Sequence, residues 1–211
     1  MAEREWFFDI HGCKVVLLAT INGLTSEIEI IRTALEKHTP DEIGLSVTSA
    51  QLANLRKWNG KEEQEEPDYS DFDLFYIREM SKFGDVLLPS PSHLYTVAAA
   101  DAAGIGIVAL DMDDELYTGL YVSLVTPSSL FLDSISRKRR MRKRLDGTPE
   151  EVVLKLDDIA KHPRGIVEVD REREKHMASE IRRRAMEGET FLAVVDYERS
   201  AGVRAFLENE E

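Results

Sequence analysis

Apolar residues gather along the chain in five short runs of the kind strands use, and between them they recur at three- and four-residue intervals, the period of a helix. Residues 6–10 and 14–20 read as a hairpin joined at His11 and Gly12. Val15, Val16, Leu17, Leu18 and Ala19 are apolar on both faces, the pattern of a central strand covered by helices on each side. Ser26 and Glu29 then have capping-box spacing, and Ile28, Ile31 and Leu35 predict a helix ending near Thr39 and Pro40. A strand at 42–47 follows, then a helix opened by Thr48 or Ser49 and carrying Leu52, Leu55 and Trp58. Strand, helix, strand, helix implies right-handed crossovers and a largely parallel sheet.

Between residues 59 and 71 the run Lys61, Glu62, Glu63, Gln64, Glu65, Glu66, Pro67 pairs high charge with almost no apolar content, which predicts a mobile surface loop. Helices are expected at 72–83 and 94–103, the second stopped by Gly104, and a buried strand at 105–110. No strand pattern occurs from 113 to 162, where 117–145 and 149–161 read as helices, with Pro149 well placed at a helix start. A long charged helix at 168–186, a stop at Gly188, a strand at 191–195 and a short helix at 201–207 complete the chain. The expectation is one α/β domain over residues 1–211, a largely parallel central sheet flanked by helices, with a helical insertion at about 114–165.

The chain has 211 residues, 43% of them hydrophobic, enough for a full core without staples. Its net charge of −13 opposes nucleic acid and anionic membrane surfaces. One segment departs from that average. Arg137, Lys138, Arg139, Arg140, Arg142, Lys143 and Arg144 surround Met141, either as a site for RNA or an acidic protein or as a solvated helix face. Cys13 is the only cysteine, so no intrachain disulfide or thiolate cluster can form. With no basic and apolar leader at the start and no run of ~20 apolar residues, the sequence predicts a cytoplasmic protein that does not cross a membrane.

The segment Glu172, Arg173, Glu174, Lys175, His176, Met177, Ala178, then an arginine-rich helix, Glu187 and Gly188, the strand Phe191 to Val195, and Gly202 with Val203 resembles the TraB (pheromone-shutdown) family. That family is linked to the group holding the Tiki proteases and erythromycin-esterase-like proteins. Its Glu-Arg-Asp-x-x-Met-Ala helix and Val-Val-Gly-x-Gly-His strand end are the elements matched. The resemblance covers nearly the whole chain and implies the α/β fold. It also implies a metal or acid/base site of two histidines, a glutamate and an arginine. Where that pattern has Gly-Thr-x-His, this chain has Ala19, Thr20, Ile21 and Asn22. The glutamate position falls on Ser46, the second glycine and histidine fall on Asp196 and Arg199, and an Asp-Arg-Asp becomes Asp111, Met112, Asp113. An amide, a hydroxyl and a guanidinium do not replace imidazole and carboxylate donors. The resemblance with these replacements implies a non-catalytic protein, without cofactor or metal, acting by binding or assembly on an unknown protein or small ligand, with self-association open.

The resemblance thus implies Thr20, Asn22, Ser46, Asp111, Asp113, Asp196 and Arg199 as the site rim. Ligands in such sheets sit beyond the carboxyl ends of the strands, so Asn22, Thr48, Asp111 and Asp196 are expected to share one edge. A different class of function, a metal-dependent hydrolase of peptide or ester bonds, would use Asp111, Asp113 and Asp196 as a rebuilt acidic site. The plainer alternatives are that Asp113 or Asp114 caps the next helix and that Asp196 pairs with Arg199. A third reading is an RNA or acidic-protein adaptor acting through residues 137–144. His93 reads as a helix-start histidine rather than a metal ligand, and Cys13 as a small buried residue.

Overall fold

The computed structural model of the chain describes residues 3–58, 69–161, 164–186 and 188–209, apart from the side chains of residues 129, 131–135 and 164. Its hairpin is β1 (Glu5–Ile10) and β2 (Cys13–Thr20), antiparallel and turning at His11 and Gly12. Both turn residues have positive φ, 53° and 80°, as a two-residue hairpin loop requires. β2 then pairs in parallel with β5 (Thr190–Asp196), β5 with β3 (Glu42–Leu45), and β3 with β4 (Gly106–Ala109). The sheet order is β1-β2-β5-β3-β4, a mixed, mostly parallel α/β sheet. A Cβ at position 44 would come within 2.8 Å of Leu110 and Phe191 side-chain carbons, so any side chain there would force these buried neighbours to shift.

One face of the sheet carries α1 (Glu27–His38), α2 (Ser49–Trp58) and α4 (Pro91–Ala103), whose Ile31, Leu55 and Val97 pack on Val16, Leu18 and Val194. The other carries α8 (Arg164–Arg184) and α9 (Tyr197–Glu208), whose Met177, Ile181 and Val203 pack on Val15, Leu17 and Val195. Alternate residues of β2 thus feed opposite layers, the reason for its unbroken apolar run. A third cluster lies past the carboxyl end of β2, where Ile21 and Leu24 meet Phe75 and Met80 of α3 (Asp71–Met80) and Val152 and Leu156 of α7 (Pro149–Ala160).

Several expected boundaries move. The single helix expected at 117–145 is two, α5 (Asp114–Leu124) and α6 (Pro127–Arg140). Pro127 has no N–H to give the preceding turn and disfavours helical backbone before it, and Val125 is already extended. Residues 141–145 follow α6 as turns rather than as helix, although Met141 and Leu145 do pack against the third cluster. The capping box expected at Ser26 is not made, since Ser26 is itself helical and accepts no cap hydrogen bond. Capping boxes form instead at Ser70 with Asp73 and at Thr148 with Glu151. α9 begins four residues earlier than its apolar spacing announced, on Asp196 as N-cap. Most of the expected loop at 59–71, residues 59–68, lies outside the described residues. No helix among the described residues is long and apolar enough to cross a membrane.

Candidate functional site

The chain leaves β3 for the α2 face and β5 for the α9 face, so the carboxyl ends of these neighbouring strands part and leave a crevice. It has a volume of about 520 Å³. Asn22 after β2, Ser46 after β3, Asp111 after β4 and Asp196 at the end of β5 all line it, joined by His93 from α4 and Arg173 from α8. Four of the seven expected rim positions therefore converge.

The other three do not line the crevice, nor does Thr48, which turns to Gln51 of α2. Thr20 is fully buried in the sheet beside Asp196, its cross-strand partner. Asp113 is exposed and occupies the N-cap of α5, the plainer of the two roles its sequence allowed, although its side chain makes no cap hydrogen bond. Arg199 points away to Asp170, 2.7 Å from its carboxylate, which corrects the expected Asp196–Arg199 pair. Asp196 is the N-cap of α9, with extended rather than helical backbone, so the i,i+3 contact of a helix face does not hold between it and Arg199.

Asp111 is buried and engaged on both oxygens. Its Oδ1 accepts from Arg173 Nε at 3.1 Å and from the Met112 backbone N–H at 2.9 Å, and its Oδ2 accepts from the same guanidinium. Arg173 also reaches Asp170 at 3.3 Å, and Lys161 bridges Asp170 and Asp157 at 3.3 and 2.6 Å. Burial alone would lower the basicity of Arg173, but Asp111 and Asp170 raise it, so the guanidinium stays charged.

Asp196 is placed differently. Its backbone N–H donates to Ser46 Oγ at 3.1 Å, while its carboxylate faces His93 Nε2 across 3.4 Å. Burial pushes the carboxyl upward, but His93, Arg199 and Arg173 together hold it below the ordinary aspartate value. It stays ionised. Asp196 Oδ1, His93 Nε2, Asn22 Oδ1 and Thr20 Oγ1 are nonetheless all buried without a hydrogen-bond partner among the described residues. Glu198 Oε2 and Arg199 Nη1 are two more such atoms, and burial followed by the Asp196 charge pushes the Glu198 carboxyl up to about 8. Tyr76 closes this corner by donating to the Asn22 carbonyl at 2.7 Å.

The crevice thus brings together the Asp196 carboxylate, His93 and an Asp111 already paired with Arg173, while Asp113 lies outside it. Among the described residues no three His, Cys, Asp or Glu side chains are grouped to hold a metal ion, so the donor set implied by the TraB resemblance does not fit here. His93 and Arg173 were read in the sequence only as a helix-start residue and as part of a family-like helix. Nothing local marks either as facing Asp196 or Asp111, more than sixty residues away in the chain.

The basic run lies elsewhere and is not continuous helix. Lys138 and Arg139 are exposed at the end of α6, and Arg142, Lys143 and Arg144 are exposed on the turns after it. Arg137 is half-buried. Arg140 is tied inward to Ser136 Oγ at 2.8 Å and the Ile159 carbonyl at 3.3 Å. The following segment is anchored to α3, where buried Glu79 accepts from the Leu145 N–H at 2.9 Å. Cys13 is buried. No protein-family model matches the chain, and no curated protein sequence matches it.

Proposed function

We propose that this chain is a non-catalytic, TraB-like cytoplasmic protein that works by binding a small polar ligand in the crevice at the carboxyl edge of its sheet. The observation that carries this reading is the convergence of unpartnered polar atoms, Asp196 Oδ1, His93 Nε2 and Asn22 Oδ1, in residues that line one cavity. Buried polar groups in folded proteins are nearly always satisfied, so such a cluster is the signature of an absent ligand or of ordered water. The replacements at Asn22, Ser46 and Arg199 support binding over hydrolysis.

The test is a screen of small polar fragments followed by amide chemical-shift mapping. Binders are expected to move Asn22, Ser46, Ser90 and Asp196 together. The reading is overturned if fragments map elsewhere. It is overturned equally if the purified protein carries one equivalent of tightly held zinc or manganese, or cleaves esters or peptides at a rate lost in Asp196→Asn.

A further inference from the structure

We infer that the crevice recognises the ammonium group of a small organic amine, with the Asp196 carboxylate as its anchor and Asn22 Oδ1 as a second acceptor. This rests on the small-ligand reading above and adds the ligand's chemistry.

The argument begins with the polarity of the atoms left without partners. Carboxylate and side-chain amide oxygens only accept hydrogen bonds, so a group seated against Asp196 and Asn22 must donate. The Asp196 side chain is only 17% exposed and its Oδ1 is buried without a hydrogen bond, a costly state for a carboxylate. An ammonium group brings three N–H donors and the opposite charge together. The neighbouring cations act on Asp196 by charge, but none gives it a well-formed hydrogen bond. Arg173 is held by Asp111 and Asp170, and Arg199 by Asp170 at 2.7 Å. His93 alone comes close, and its 3.4 Å separation makes no good hydrogen bond.

The rest of the wall agrees. The His93 side chain, only 8% exposed, has its Nε2 buried without a hydrogen-bond partner next to Asp196. Asp73 and Asp111 add acid to the lining against the single guanidinium of Arg173. Trp58 and Tyr69 contribute aromatic rings, whose faces attract cations within about 6 Å. A phosphate or carboxylate ligand would meet three carboxylates and a guanidinium fork already taken. A volume of about 520 Å³ suits a small molecule rather than a bare ion.

Calorimetry and thermal shift on the full chain at pH 7 and constant ionic strength would compare n-butylammonium, 1,4-butanediammonium and guanidinium with n-butanol, glycerol and butyrate. Saturable binding of the ammonium probes at least ten-fold tighter than n-butanol is expected. Asp196→Asn should weaken it ten-fold or more and Asn22→Leu several-fold, while Asp113→Asn, exposed and outside the crevice, should leave it unchanged. If Asp196→Asn does not fold, the wild-type contrast between n-butylammonium and n-butanol still decides, because the two differ only in the head group. Equal binding of that pair, or ammonium binding indifferent to both crevice variants, overturns the inference. Glycerol or butyrate mapping to Asn22 and Asp196 while amines do not would overturn the ammonium chemistry and leave the small-ligand reading standing. If no probe and no fragment reaches the crevice, both fall.

Discussion

Two buried acid groups flank the carboxyl end of β2, and the fold treats them in opposite ways. Glu27 in α1 is clamped by Arg4 at 2.8 and 2.9 Å and also accepts the Ile21 backbone N–H at 3.1 Å. The same guanidinium reaches Glu150 at 2.8 Å, and the Glu27 and Arg4 side chains are only 3% and 15% exposed. Every strong partner is present, so the cluster ties the start of the chain to α1 and α7. Asp196, on the neighbouring strand, has one partner at a poor distance and a cavity beside it. Burial and charge are therefore poor guides to function. What separates the two acids here is whether their hydrogen bonds are closed within the protein.

The contrast breaks most visibly at Arg4. Arg4→Met strands two carboxylates in partly buried sites and should lower unfolding stability by about 3 kcal/mol, part of it recovered when Glu27→Gln is added. Urea denaturation would measure both. A loss under about 1 kcal/mol would make the cluster a surface-like pair and remove the distinction from Asp196.

Glu198 gives the unsatisfied side a pH signature. Its carboxyl is pushed from 4.5 up to about 8, so between these values the folded state keeps a proton that the unfolded chain has released. Stability should therefore fall as pH rises through that window, by at most about 1.4 kcal/mol per pH unit, and level off above it. Glu198→Gln should flatten the slope between pH 5.5 and 7.5. An unchanged slope would assign the proton to another group.

A double-mutant cycle sharpens the boundary between the two regimes. Arg199→Ala and Asp170→Ala should couple by about 1 kcal/mol, and Arg199→Ala with Asp196→Ala by clearly less, because the ion pair at 2.7 Å is the Asp170 one. The reverse order would restore the pairing that the sequence alone suggested. The smallest effect is expected on the exposed basic turns, where Arg139, Lys143 and Arg144 changed together to Gln should alter stability by about 0.5 kcal/mol or less. Polyanion binding should be negligible before and after. RNA binding that falls steeply with salt and is lost in that triple variant would make the segment an adaptor surface.

Within the chain, the strand set, most helices and the layer assignments were legible because they rest on local periodicity and on one strand apolar to both sides. Val16 and Leu18 facing one layer and Val15 and Leu17 the other is written in the sequence of β2 itself. Asn22, Asp111 and Asp196 could also be named in advance, since the carboxyl ends of parallel strands must share an edge; Thr48, named with them, does not line the crevice, and Ser46 was pointed to only by the family resemblance. The one local mark of the break inside 117–145 is Pro127, against apolar spacing that continues across it. Which carboxylate would be closed and which left open was not legible. Asp111 and Asp196 stand in similar places after buried strands, yet one meets Arg173 and the other His93, side chains delivered by helices distant in sequence. Periodicity fixes which face a residue takes along its own element. Only the crossing of α8 and α4 over the sheet edge decides which charge arrives opposite it, because hydrogen-bond closure depends on ångström-scale distances between elements that local sequence does not encode.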